Sequence, residues 1–580
     1  MFIINKIAFK KISTLAWAAG FYFLIVMIRL FQFQVIQYEK FETSGKKNFL
    51  RLKVIPAQRG NILDCNGVPL ATNQPVTKLI WKGTGNIRLS QAQQEAINKI
   101  YTILQKDPET KSQILRAEKY SLEITIAPRI SQEELSLIAE QCSDIENIYF
   151  TTSFNRFYPY NSVACHLLGY LGDLSDSAQG KMGLEKICQE TLQGNPGILM
   201  QSTNSFGSLL DSQELKQGIS GEDIRTSIDL DLQLMIEKTL ENEISGSCLL
   251  FDPKNGYIKA LVSKPNFNPS LFSEKIDDET WETLKKEKVF LNRCFNASYP
   301  PASIFKLVTI SAALEEKIIL QDSHFFCSGY TTFKGREYYC NKHSGHGRVS
   351  TEDSLAMSCN IPFFEIAKKI HIDTLANYAF RFGLGNKTDI PFSEQTGLIP
   401  TNKWKLTHKG ERWWTGETLS ACIGQSFLLA TPIQIACMIS AIFHGYLIKP
   451  RILLDQPLEK TPINIQAQTR QFLQLCMKSA TSSTGTACRV GRIGNLTIYS
   501  KTGTAQTKTR KSSEAPDQIA KTREDLEHAW FVGYFYADNS EPLVIVMLLE
   551  HVGRSTYTTK VAAKFFIQYR DWIKKRPLHN

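Results

Sequence analysis

Three stretches near the end of the chain decide the fold class: residues 496–507 (LTIYSKTGTAQT), 528–537 (HAWFVGYFYA) and 542–552 (PLVIVMLLEHV). Each is short, rich in β-branched and aromatic residues, and bounded by polar or turn-forming residues, so each reads as a strand. Upstream, residues 248–263 (CLLFDPKNGYIKALVS) read as a hairpin, two apolar runs around Asp252-Pro253-Lys254-Asn255-Gly256. A largely helical block fills 304–442, and 561–574 closes the chain as an amphipathic helix. Strands grouped on either side of a helical block predict an α+β fold, an antiparallel sheet with helices on both faces. Residues 507–527 are charged and without periodicity, and read as an exposed loop.

Working outward, 580 residues exceed one ordinary core and predict two or three domains. A hydrophobic content of 43% with 21% charged residues excludes both a disordered chain and an all-membrane transporter. The net charge of +11 comes without a basic stripe interleaved with aromatics, so no nucleic-acid partner is expected. A basic surface near anionic lipid accounts for it. Thirteen cysteines, an odd number, exclude a complete intramolecular disulfide framework.

Residues 12–28 (ISTLAWAAGFYFLIVMI) carry no charge, and 30–36 extend the apolar run past Arg29. The segment 12–36 is long enough to cross a bilayer as a signal anchor. Lys6, Lys10 and Lys11 precede it and predict a cytoplasmic tail at 1–11, with the rest beyond the inner membrane. No small-x-small cleavage pattern follows. Arg29 is expected to snorkel or pair with another helix. From 37 to 225 the chain alternates turns, as at Asp64-Cys65-Asn66-Gly67, with charged helix-like stretches at 91–119 and 131–139. Nothing there gathers a nucleophile, a base and metal ligands, so this half reads as a scaffold and 226–575 as the catalytic domain.

Three short motifs in that domain carry chemistry. Ser303-Ile304-Phe305-Lys306 opens an apolar helix, where positions i and i+3 bring Lys306 Nζ within reach of Ser303 Oγ. A serine hydroxyl needs a base to become a nucleophile, and a lysine serves only where its surroundings favour the neutral amine. Ser358-Cys359-Asn360 joins two helix-like segments, with Ser358 and Asn360 pointing one way and Cys359 the other. Lys501-Thr502-Gly503-Thr504 lies on a strand; its cation and hydroxyls suit a carboxylate, and its glycine suits a close backbone approach. Each alone also describes a helix start, a turn or a chance tripeptide. In this order, together, they form the active-serine combination.

On these residues the chain resembles the class B penicillin-binding proteins, which are peptidoglycan D,D-transpeptidases. The likeness runs from the anchor to about residue 570: RGNILD at 59–64, RFYPY at 156–160 and GLE at 183–185 in the pedestal, then YPPASIFKLVT, SCN, KTGTAQ and AWFVGYF. WWTGETLSACIGQSFLLATPIQ, 413–434, is similar to the elongation type, penicillin-binding protein 2, rather than the division type. Ser426 stands where the family usually has Gly, and Cys65 replaces a common Arg. The resemblance implies a dimerisation-type pedestal at 37–225 and a transpeptidase domain at 226–575. It implies Ser303 as nucleophile, Lys306 as base, and Ser358 and Asn360 as proton network and peptide holder. Lys501, Thr502, Gly503 and Thr504 would take the carboxylate of a D-Ala-D-Ala stem peptide or of a β-lactam, and the Ser303 and Thr504 N–H groups would form an oxyanion hole. A membrane glycosyltransferase of the shape/elongation/division type is the implied protein partner.

Cys327, Cys340, His346 and Cys359 match the Cys₃His ligand set of structural zinc. Their spacing is not compact, and the resemblance supplies the rest, since elongation-type members place an Asp/Cys, His and Cys metal set here. A Cys327–Cys340 disulfide, plain buried thiols, and His343 in place of His346 stay open as alternatives. An anchored β-lactamase or β-lactam sensor shares the three motifs, but no E-x-x-L-N stands out for deacylation. A catalytically idle scaffold is the reading from another class, disfavoured by intact Ser303, Lys306 and Lys501.

Overall fold

A computed structural model describes residues 6–42, 50–105, 110–172, 179–203, 209–273, 276–506, 522–538 and 540–575. The chain forms two compact units: Met1–Gln58 with Asn73–Asn155 and Gln193–Gly221, and Arg59–Thr72 with Arg156–Leu192 and Glu222–Asn580.

In the first unit, the apolar N-terminal run is the helix Lys6–Phe31, continued by a wide turn over Gln32–Ile36. Lys10–Ile36 is, among the described residues, the one helix long and apolar enough to cross a membrane. Arg29 Nη1 donates to Gln32 Oε1 at 2.9 Å. Farther along, helices Gln91–Leu104 and Gln132–Gln141 each begin at a serine whose side chain caps the first turn, Ser90 and Ser131. A buried carboxylate, Glu118, accepts from Trp81 Nε1 at 3.1 Å and Asn147 Nδ2 at 3.0 Å, which compensates its removal from water.

The second unit is built on a five-stranded antiparallel sheet, ordered Ile258–Lys264, Gly246–Phe251, Leu543–Leu549, His528–Tyr536, Thr497–Ala505. Every residue of Gly246–Phe251 and Leu543–Leu549 is buried, because both faces are covered. Alternate side chains enter different cores. Leu249, Phe251, Val544, Val546 and Leu548 pack with Ile433 and Met438 of the helix Pro432–His444. Leu250, Ile545 and Met547 pack with Ile236 of Leu230–Thr239 and with Phe566 of Ser555–Lys575. The expected α+β layering, the hairpin and the three terminal strands are all present. The closing helix begins at Ser555, earlier than the apolar periodicity indicates. The 507–527 loop lies outside the described residues up to 521, and Arg523–Asp525 forms a single tight turn.

The block 304–442 differs from its helical reading. It contains two hairpin-like pairings, His324–Cys327 with Gly347–Ser350 and Tyr330–Phe333 with Arg336–Tyr339. Four-residue strands give too little alternation to register as a period. Three separated motifs also meet in this unit: Glu185 accepts from Arg59 Nε and Arg156 Nε, each at 2.7 Å, with Tyr158 OH at 3.4 Å. A fully buried carboxylate needs such partners.

Candidate active site

Ser303 sits in the tight turn Ala302–Ile304 that leads into the buried helix Lys306–Glu315. The turn is forced: Ala302 has φ +48°, a left-handed conformation that costs an alanine of order 1–3 kcal/mol. Its N–H donates to the Gly424 carbonyl at 2.9 Å, and a Cβ at 424 would lie 1.9 Å from the Ala302 carbonyl oxygen, so only glycine fits there. Ser303 is partly exposed while its neighbours Ala302, Ile304, Phe305 and Lys306 are buried.

Ser358 and Asn360 lie between helices Thr351–Ala356 and Ile361–Ala367, with Ser358 at φ +56°. The expected division of side chains holds. Lys306 Nζ donates to Asn360 Oδ1 at 2.7 Å and Ser358 Oγ at 3.4 Å, and to the carbonyls of Ser358 and Cys359 at 2.9 and 3.1 Å. Cys359 Sγ faces the opposite way, 3.7 Å from Cys340 Sγ. Among the described residues no hydrogen bond joins Lys306 to Ser303; the amine is held by the Ser358–Asn360 turn instead.

Lys501 is on the edge strand Thr497–Ala505, and its Nζ donates to Ser358 Oγ at 3.0 Å and to the Thr502 carbonyl at 3.0 Å. Two fully buried lysines thus share one serine hydroxyl. Burial pulls the Lys306 ammonium from its ordinary 10.5 down to about 8, opposed by the neighbouring Cys359 and Cys340. Burial, and then the Lys306 cation, hold Lys501 well below the usual lysine range. Charge on one lysine disfavours charge on the other, which is the condition under which a lysine becomes a base. Thr502 Oγ1 donates to Thr486 Oγ1 at 2.9 Å, and Thr504 Oγ1 accepts from the Ser555 N–H at 3.2 Å.

Gly503 also serves a contact within the protein. A Cβ there would meet the Pro301 carbonyl oxygen and Ile304 Cγ1 at 3.3 Å, so the Ser303 turn packs closely against it. Sequence reasoning also passed over Gln425, whose Nε2 donates to the Thr504 carbonyl at 3.2 Å, and over Thr486. Gly424 carried a signal, a glycine inside a helix-like run; Ala302 carried none.

Cys327, Cys340, His346 and Cys359 come together with all four ligand atoms within 4.8 Å of one another. His346 Nδ1 is 3.6 Å from Cys327 Sγ and 3.4 Å from Cys340 Sγ. A tetrahedral zinc with ordinary bond lengths separates its ligand atoms by about 3.5–3.8 Å, so the donor set fits that ion and these two separations lie close to its spacing. All thirteen cysteines are free, with no Cys327–Cys340 bridge, and the His343 ring lies beside Tyr339 instead. The hairpin that carries Cys340 also touches the catalytic turn: Asn360 Nδ2 donates to the Tyr339 carbonyl at 3.1 Å.

With this geometry in place, the class is defined. Residues 246–569 match the penicillin binding protein transpeptidase domain, and 54–226 the penicillin-binding protein dimerisation domain. The chain belongs to the penicillin-binding protein transpeptidase family. Within it, the peptidoglycan D,D-transpeptidase MrdA of Acinetobacter baumannii is 28% identical over 593 residues, spanning 96% of this chain and 86% of that one. The solved penicillin-binding protein PBP2 of Helicobacter pylori, in complex with MreC, is 25% identical with a TM-score of 0.76, covering 90% of this chain and 99% of its own. A peptidoglycan synthase complex described for coordinated polymerization and crosslinking contains a chain 27% identical, TM-score 0.72, over 98% of this chain and 100% of that one. These likenesses agree with the elongation-type branch.

Proposed function

We propose that this chain is an elongation-type peptidoglycan D,D-transpeptidase that cross-links stem peptides through an acyl-enzyme on Ser303. The observation that carries the reading is the meeting of three motifs at one hydroxyl, with Lys306 Nζ 3.4 Å and Lys501 Nζ 3.0 Å from Ser358 Oγ.

Ser303 Oγ attacks the penultimate D-Ala carbonyl and passes its proton to the neutral Lys306 amine. The Ser303 and Thr504 N–H groups receive the oxyanion. As the tetrahedral species collapses, the C–N bond breaks, and a proton returned through Ser358 leaves with the terminal D-Ala. Lys501, with Thr502 and Thr504, holds the substrate carboxylate, whose negative charge restores the Lys501 cation and thereby favours the neutral form of Lys306. An amine from a neighbouring stem peptide then attacks the ester, forming the cross-link and freeing Ser303. β-Lactams acylate the same hydroxyl.

Cys327, Cys340, His346 and Cys359 would hold a zinc ion, which when bound supplies a structural cross-link and no acid, base or nucleophile. Cys359 then ties that cross-link to the turn carrying Ser358 and Asn360. Lys6, Lys10 and Lys11 support a single-pass inner-membrane orientation with the catalytic domain on the periplasmic side. The relatives solved with MreC and in a peptidoglycan synthase complex support protein partners, and the family resemblance implies a membrane glycosyltransferase as one.

The test is the full chain in detergent with glycan strands bearing D-Ala-D-Ala stems. Cross-linked dimers and released D-Ala from wild type, with neither from Ser303→Ala, are expected. Catalytic consumption of a β-lactam without cross-links would make a hydrolase the better reading.

A further inference from the structure

Among the described residues, the strand Thr497–Ala505 is the last of its sheet, and Thr504 stands opposite Ala529 of the neighbouring strand. In an antiparallel ladder the N–H and C=O of one residue point to the same side. The Thr504 carbonyl accepts from Gln425, which is outside the sheet, so the N–H and C=O of Thr504 both face away from the neighbouring strand. An extended peptide docks on such an edge by donating its own amide N–H groups to the exposed carbonyls.

That carbonyl is already engaged. Gln425 Nε2 donates to it at 3.2 Å, and a side-chain carboxamide is the same kind of donor as a peptide amide. The backbone of Gln425 is anchored next to the nucleophile: its N–H donates to the Ser420 carbonyl at 3.0 Å, and the preceding Gly424 carbonyl accepts from Ala302 at 2.9 Å. Its side chain is only partly buried, so it can swing aside while the backbone stays.

We propose that Gln425 is a gate on the acyl-donor strand site, a positioning residue whose carboxamide occupies the Thr504 carbonyl until an incoming donor replaces it with its own amide N–H. The proposal rests on the acyl-transfer reading of Ser303. Between turnovers the gate satisfies a carbonyl that would otherwise invite stray strand pairing. During binding it levels ligands: one with an amide N–H at this position must displace the gate and only exchanges one hydrogen bond for another, whereas one without it leaves the Gln425 bond in place.

The test compares acylation rates of the full chain with benzylpenicillin, whose 6-acylamino group offers an N–H, and penicillanic acid sulfone, which lacks that group. The variants are Gln425→Leu, which cannot donate, and Gln425→Asn, which keeps the amide but withdraws it by one methylene. With the competing donor gone, the ratio of the benzylpenicillin rate to the sulfone rate is expected to rise about two- to fivefold in both variants, the worth of one ordinary hydrogen bond. Gln425→Asn alone carries the test if the leucine variant does not fold. A ratio that stays constant or falls overturns the gate and leaves the acyl-enzyme standing. No acylation of wild type by either compound overturns the acyl-enzyme reading, and the gate with it.

Discussion

A methyl group at position 503 would press on the Pro301 carbonyl oxygen and Ile304 Cγ1 at 3.3 Å and on Trp530 Cβ at 3.4 Å. The edge strand and the Ser303 turn therefore keep their spacing because residue 503 has no side chain. Gly503→Ala is expected to cost about 1 kcal/mol of stability by overpacking, and to slow benzylpenicillin acylation about tenfold or more by displacing the nucleophile. Thermal unfolding and an acylation time course measure the two effects, and an unaltered rate would contradict this account of Gly503. Lys-Thr-Gly was legible as a motif, but the contact its glycine serves was not, because the Ser303 turn lies far away in sequence. The same holds for three residues in left-handed backbone around the site, Ala302 at φ +48°, Ser358 at +56° and Ser426 at +71°. Ser426 alone left a trace in the sequence, as a serine where related chains use the residue that accepts such a φ without penalty.

At the scale of elements, the two small pairings within 324–350 matter most. They bring Cys327, Cys340 and His346 to Cys359, and they place the Tyr339 carbonyl against Asn360. The four residues were legible as a candidate ligand set, because three thiols and an imidazole match one known kind of metal site. The strands were not, since four-residue segments with Gly329, Gly335, Gly345 and Gly347 among them carry more turn signal than strand signal. Purified full chain is expected to contain about one equivalent of zinc, and Cys359→Ser is expected to lose most of it and to acylate more slowly. Metal analysis checks this. Less than about a tenth of an equivalent in wild type would contradict a structural ion here.

At the scale of the whole molecule, the sheet was the most legible part of the sequence, because strands covered on both faces become continuous apolar runs. The assignment of segments to compact units was the least legible. Residues 59–72 and 156–192 group with the catalytic sheet, and the contact that joins them, Arg59 and Arg156 on Glu185, links three places scattered along the chain. No local period encodes such a contact. The N-terminal helix was legible from length and charge alone.

The central claim is that the two lysines gathered at Ser358 serve one nucleophile, Ser303. Intact-protein mass spectrometry of the full chain after incubation with benzylpenicillin tests it most directly. A stable adduct of one drug molecule on wild type, absent from Ser303→Ala, is the expected result. An adduct of equal yield on Ser303→Ala, or none on wild type, would contradict the account.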